Sequence, residues 1–90
     1  MRITYDPAKN DRNLRERRLS FDRVAELDWA NGVFLPDTRR DYGEERVRVL
    51  ATLDGRLHMV VITLRADATH VISFRKANAK EVAFYVRSRH

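Results

Sequence analysis

The sequence predicts an α+β fold in a single domain spanning residues 1–90, with a mostly antiparallel sheet, two amino-terminal helices and one carboxy-terminal helix. Three observations lead there. Asp54-Gly55 separates two runs of alternating character, Arg46 to Leu53 and Arg56 to Arg65, and this dipeptide signals a hairpin because a type I′ turn needs positive φ at both central residues. Asp6-Pro7 offers a helix start, with Asp6 as the cap and Pro7 where a missing N–H costs nothing. Near the other end, Asn78 and Glu81 have capping-box spacing, and Val82, Tyr85, Val86 and Arg89 then recur at helical intervals.

The elements follow in order. Arg2-Ile3-Thr4-Tyr5 reads as a short first strand. The helix from about Pro7 to Arg17 is nearly all polar; Ala8 and Leu14 are its only apolar anchors, and Lys9, Arg12, Arg15, Arg17 and Arg18 make it a basic exposed element. Ser20 caps a second helix, on which Phe21, Val24, Ala25 and Leu27 form the buried stripe and Leu19 staples onto Val24. Asn31-Gly32 closes this helical hairpin. Val33-Phe34-Leu35 reads as a strand stopped by Pro36-Asp37, and Asp37 to Glu45 as a polar loop. A last strand, about His70 to Arg75, leads to the final helix.

Hydrophobic residues make up 43% of the chain and charged residues 34%, a balance that excludes disordered and membrane classes. The longest apolar run, Met59-Val60-Val61-Ile62, is the size of a strand and far too short for a bilayer. With no apolar secretory core at the amino terminus, a cytoplasmic location is the default and no membrane partner is expected. Cysteine is absent, which removes disulfides, thiolate metal sites and cysteine nucleophiles. His58, His70 and His90 lack metal-ligand spacing, so neither a metal nor another cofactor is expected. The net charge of +5 favours a polyanionic partner, and its arginine bias leans toward phosphate, which a planar guanidinium grips with two parallel hydrogen bonds. General solubility explains the same surplus equally well.

The hairpin register distributes the charges. With Leu53 paired to Arg56, one face collects Val47, Val49, Ala51, Leu53, Val60 and Ile62 as a core, while the other carries Arg46, Arg48, Leu50, Thr52, Leu57, Met59, Val61, Thr63 and Arg65. Arg46 lies opposite Thr63, with Arg65 its diagonal neighbour. Packing should send Ile72 and Phe74 of the last strand to the core and leave Val71, Ser73 and Arg75 with the arginines. This needs an odd-length or bulged connection through Ala66-Asp67-Ala68-Thr69. Arg46, Arg65 and Arg75 would then converge on an uncovered face, with Thr63 and Ser73 between them. Either RNA phosphate or ordinary ion pairs with Asp41, Glu44 and Glu45 can balance such a cluster.

These residues carry a resemblance that runs through essentially the whole chain. Tyr5-Asp6-Pro7-Ala8-Lys9, Asn13, Ser20-Phe21, Asp41-Tyr42-Gly43-Glu44 with Arg46, Asp54-Gly55-Arg56 with Val60-Val61, Thr63 and Arg65, and Val71-Ile72-Ser73 with Arg75-Lys76-Ala77-Asn78 and Glu81 resemble BrnT toxins. The resemblance implies a RelE-like fold and the toxin of a type II toxin–antitoxin module, cleaving RNA to block translation. It also implies neutralisation by a BrnA-like ribbon-helix-helix antitoxin, through which alone operator DNA would be bound; a homodimer and a heterotetramer with the antitoxin are both compatible with it. Where relatives carry Lys-His-Gly before Val-Ser-Phe, this chain has Glu16-Arg17-Arg18 before Leu19-Ser20-Phe21, and Arg17 cannot shuttle a proton at neutral pH. Ala66 stands where a turn glycine is common.

A metal-independent ribonuclease uses the neighbouring 2′-hydroxyl as nucleophile and must stabilise a dianionic phosphorane while moving two protons. Arg46, Arg65 and Arg75 suit the electrostatic task, with Lys76 either assisting or merely flanking the last helix. Glu44 is the candidate base and Tyr85 the candidate acid, although an aromatic at that spacing also suits a core. Lys9, Arg12, Arg15 and Arg40, with Thr63 and Ser73, are the candidate RNA contacts. His58 suits packing, and Trp29 and Phe34 suit either the core or an apolar docking patch. The competing class is a non-catalytic basic binding module that acts with a DNA-binding antitoxin as co-repressor.

Overall fold

In the computed structural model, which describes residues 1–89, a five-stranded mixed sheet is dressed unequally on its two faces. The elements run β1 (Ile3–Tyr5), α1 (Pro7–Arg17), two 3-10 turns (Phe21–Glu26 and Trp29–Asn31), β2 (Val33–Pro36), β3 (Val47–Leu53), β4 (Arg56–Arg65), β5 (Ala68–Lys76) and α2 (Ala79–Ser88). The strand order is β1-β5-β4-β3-β2. Only β1 pairs in parallel, on β5; the other contacts are antiparallel. No helix among the described residues is long and apolar enough to cross a membrane, and His90 lies outside those residues.

The β3–β4 hairpin has the register that its turn dictates, Leu53 opposite Arg56 through Val47 opposite Ile62, with Asp54 and Gly55 at φ 51° and 75°. Positive φ at two successive residues twists the turn to match the right-handed strands. Val49, Ala51, Leu53, Val60 and Ile62 therefore face one core, roofed by Leu19, Phe21, Val24 and Leu27. Asp6 and Ser20 cap as their sequence contexts predict. The second helical segment, however, is a 3-10 turn, and its Ala25 is exposed. This short segment suffices because Phe21, Val24 and Leu27, three residues apart, all point inward.

Helix α1 is held differently from the expectation. Ala8 is exposed and Leu14 is 40% exposed, whereas Asn10 and Asn13 are buried. Asn13 Nδ2 donates to the carbonyls of Leu19 and Phe74, each at 3.0 Å, and Asn10 Oδ1 accepts from the Phe21 N–H at 2.8 Å. Strand β1 pairs with β5 only as far as Val71. Past that point the edge of β5 needs other partners, and Asn13 serves it from α1.

The largest correction concerns β5. Arg65 pairs with Ala68 across the two-residue turn Ala66-Asp67, with Ala66 at φ 54°; the residue where a glycine is common thus carries the strain a glycine would avoid. The irregularity sits inside the strand instead: Ile62 pairs with Val71 but Val61 with Ser73, leaving Ile72 as the extra residue of a bulge. Val71 and Phe74 both enter the core, Ile72 does not, and His70 crosses to the arginine face opposite Thr63. That face is not uncovered. Leu50, Leu57 and Met59 form a second apolar cluster beneath Phe84 and Tyr85 of α2, whose capping box between Asn78 and Glu81 is fully formed.

Trp29 is half-buried against the main core and its Nε1 donates to the Val24 carbonyl at 3.1 Å. Phe34, on the edge strand, is 52% exposed.

Candidate active site

Helix α2 covers only the half of its face nearest the Asp54-Gly55 turn, because Met59 and Leu50 are the last large apolar residues there before polar side chains begin. Beyond them the sheet presents Arg48 beside Val61 and Ser73, and then a row made by Thr63, His70 and Thr4. Arg46 lies one residue past the last β3–β4 pair, next to this row. The loop 37–46 forms a wall with an open groove of about 880 Å³, lined in part by Pro36, Asp37, Arg40, Tyr42, Glu44 and Arg46.

The loop is anchored by Asp37. Its N–H donates to the Arg46 carbonyl at 2.8 Å, extending the β2–β3 ladder by one bond, and its buried carboxylate accepts from Arg39 Nε and Nη2 at 2.7 and 2.8 Å. The fork-to-carboxylate contact with Arg39 holds the Asp37 carboxyl down at about 2, against the upward push of burial. Gly43, at φ 71°, turns the chain back toward the sheet, where Asp41 Oδ1 accepts its N–H at 2.9 Å. Two guanidinium groups then lie over the Tyr42 ring, with Arg46 at 4.1 Å and Arg40 at 5.5 Å from the ring centroid.

Two of the predicted arginines come together. Glu44 accepts from Arg46 Nε at 3.3 Å and from Arg65 Nη2 at 3.2 and 3.3 Å. Burial pushes the Glu44 carboxyl up, but the hydrogen bonds from Arg46 and Arg65 outweigh it and the net shift is downward. A carboxylate held ionised by two cations is a weak proton acceptor, so this geometry suits an orienting counter-ion better than the general base that the sequence nominates.

Four other nominations fall elsewhere. Arg75 pairs with Met59, six residues from Arg65 along β4 and so about 20 Å away; antiparallel pairing takes the two to opposite ends of the hairpin. Arg75 is instead clamped to Glu81 at 2.8 and 2.9 Å. Lys76 follows Arg75 in an extended strand and hence points to the opposite face, beside His58. The Tyr85 hydroxyl donates to the Asn31 carbonyl at 3.2 Å while its ring packs α2 onto the sheet, which leaves it no place in the site. Thr63 is buried and donates to the Glu45 carbonyl at 2.7 Å; it pins the loop to β4 rather than facing a ligand. Ser73 is half-buried on the polar face. Arg12 and Arg15 are exposed on α1, Lys9 is half-buried, and Lys9 lies near enough to His70 for its charge to be felt there. Arg40 is exposed over Tyr42.

Three residues of this site escaped the sequence reading. Tyr42 sits within the Asp-Tyr-Gly-Glu segment and can be recognised only once Arg46 stacks on it. Arg48 lies on the predicted arginine face; its Nε is buried and is the one buried side-chain polar atom among the described residues without a hydrogen-bond partner. Its charge acts on both Asp37 and Glu81. His70 reaches the site because the two-residue turn Ala66-Asp67 sets it opposite Thr63, while the bulge at Ile72 restores Phe74 to the core. Its Nδ1 lies 2.9 Å from Thr4 Oγ1, whereas His58 is buried against Phe74 with Nδ1 2.8 Å from the Arg56 carbonyl. No group of three or more metal-ligating side chains occurs among the described residues.

A donor-rich, arginine-lined face beside a tyrosine suits a phosphodiester substrate. Residues 5–81 match a family described as the ribonuclease toxin, BrnT, of type II toxin–antitoxin systems. No curated protein matches the chain.

Proposed function

Because the chain belongs to the BrnT family of ribonuclease toxins from type II toxin–antitoxin systems, we propose that it cleaves RNA without a metal ion, on the polar half of its sheet, using Arg46 and Arg65 to hold the scissile phosphate. The observation that carries this reading is the meeting of two guanidinium groups at one carboxylate, Glu44. Each guanidinium has five N–H donors in a rigid fork. Glu44 engages the Nε of Arg46 and the Nη2 of Arg65, which leaves donors on both for phosphate oxygens. Fixed donors of this kind bind the phosphorane more strongly than the starting diester because the charge on its equatorial oxygens is greater.

In this reading the 2′-hydroxyl oxygen attacks phosphorus, the P–O5′ bond breaks, and the products are a 2′,3′-cyclic phosphate and a 5′-hydroxyl. Tyr42, Arg40 and Arg48 border the bound strand, and Lys9 with Arg12 and Arg15 extends the phosphate track around the β1 edge. The fold we infer to be RelE-like, and the partner a BrnA-like ribbon-helix-helix antitoxin that alone contacts operator DNA. The test is cleavage of RNA by purified protein in EDTA with analysis of the product ends. Cyclic phosphate termini, lost in Arg65→Ala and Arg46→Ala, support the reading. RNA retarded on a gel but never shortened would instead favour a binding module, and activity restored only by divalent metal would overturn metal independence.

A further inference from the structure

We propose that His70 is the general base of this reaction, taking the 2′-hydroxyl proton on its Nε2 from a position fixed between Thr4 and Thr63. The proposal rests on the ribonucleolytic reading above and assigns the proton acceptor which that reading lacks. The two-residue turn Ala66-Asp67 is what places the residue: with Arg65 opposite Ala68, His70 falls opposite Thr63, in the row next to Arg46, and the bulge at Ile72 then returns Phe74 to the core. Thr4 is its partner on β1, so neighbouring strands on both sides fix the backbone from which the ring projects.

The ring is also fixed in rotation, because Nδ1 lies 2.9 Å from Thr4 Oγ1. When Nδ1 carries the proton and donates it to that hydroxyl, the lone pair of Nε2 faces outward, as a base requires. The charged groups felt by the ring come from every element around it: Arg65 from β4, Glu44 from the loop, Lys9 from α1 and Asp6 from its cap. Burial lowers the imidazole pKa, Arg65 and Lys9 lower it further, and Glu44 and Asp6 oppose them. The net downward shift keeps the imidazole neutral at physiological pH, the state in which it can accept a proton. Neither Glu44, held ionised by two cations, nor His58, on the opposite face beneath the core, offers this combination.

The step balances without a co-reactant. The 2′-oxygen bonds to phosphorus as its proton moves to Nε2, the P–O5′ bond breaks, water supplies the proton for the departing 5′-oxygen, and His70 returns its proton to solvent. The experiment measures kcat on a labelled RNA oligonucleotide in EDTA from about pH 5 to about pH 8 for the wild type, His70→Gln and Thr4→Val. Wild-type kcat should rise with pH along an acid limb centred below about 6.5 and then level off. His70→Gln should lose about 10²- to 10⁴-fold in kcat, along with that limb, while RNA binding and melting temperature are kept. Thr4→Val, which frees the ring to rotate, should keep the limb and lose roughly tenfold. A folded His70→Gln that retains both rate and limb, in an enzyme that Arg65→Ala inactivates, overturns the role of His70 and leaves the ribonuclease reading standing. If His70→Gln does not fold, an unchanged rate in Thr4→Val overturns the proposal. Absence of cleavage by the wild type removes both readings together.

Discussion

Arg46, at the end of the loop before β3, and Arg65 of β4 meet at the same Glu44 carboxylate, through contacts of 3.3 and 3.2 Å. Arg65 is half exposed, so its ion pair contributes little to stability. If its purpose is catalytic, its removal should be felt in rate and hardly in melting. Arg65→Ala should lower kcat by about 10²- to 10³-fold with a thermal midpoint close to wild type. A parallel loss of secondary structure by circular dichroism would assign it a structural purpose instead.

Glu44 offers a complementary measurement. As a counter-ion rather than a base, it restrains the two arginines and also competes with phosphate for them. Glu44→Gln should therefore strengthen RNA binding, and the slope of log affinity against log salt should steepen by about 0.7 for each further phosphate that the freed arginines neutralise. The acid limb of the rate profile should stay where it is. A limb that disappears with Glu44→Gln would identify the carboxylate as the base after all.

Arg46 and its neighbours on β3 were legible in the sequence because a two-residue turn at Asp54-Gly55 fixes every pair of the hairpin, and the cap residues Asp6, Ser20 and Asn78 because capping is local chemistry. His70 was not legible: one extra residue at Ile72 inverts the side chains before it relative to those after it, and Val71, Ile72 and Phe74 are all apolar enough to take a core position. The separation of Arg75 from Arg65 is implicit in antiparallel pairing, since residues that share a face can still lie at opposite ends of a strand. The buried asparagines of α1 left no periodic signal, since polar residues read as solvent-facing by default.

Arg75 gives a sharp contrast with Arg65. Its guanidinium is clamped to Glu81, and Glu81 also accepts the Asn78 N–H at 2.9 Å as part of the capping box. Arg75→Ala and Glu81→Ala should each loosen α2, costing about 0.5–2 kcal/mol in urea unfolding, and the double variant should cost less than the sum. Turnover per folded molecule should fall less than about fivefold, under 1 kcal/mol of barrier. A loss in Arg75→Ala as deep as that of Arg65→Ala would return Arg75 to the reaction.

The Asp37–Arg39 contact predicts a pH dependence of stability. The folded carboxyl has its pKa lowered to about 2, below the unfolded value of about 3.9. A depressed folded pKa contributes stability that is present above the unfolded value and is lost as pH falls through the folded one. The urea midpoint of the wild type should exceed that of Asp37→Asn at pH 5, and the gap should narrow from about pH 4 toward about pH 2. A gap independent of pH would mean that the loop is held by the Asp37 N–H alone.

Asn13 tests whether a polar helix can be held to a sheet by hydrogen bonds in place of an apolar stripe. Its Nδ2 serves the carbonyls of Leu19 and Phe74, while its Oδ1 accepts from Arg17 Nη1 at 2.6 Å. Asn13 is 4% exposed, so water cannot readily replace the lost amide. Asn13→Ala leaves two buried acceptors short of a donor and should cost about 1–3 kcal/mol. Asn13→Leu, which restores bulk but no donor, should recover little of this. Leu14→Ala, at a side chain 40% exposed, should cost only about 0.5 kcal/mol. The opposite order, with Leu14→Ala the more damaging, would show that apolar contact holds α1 in solution and that the amide contacts are incidental.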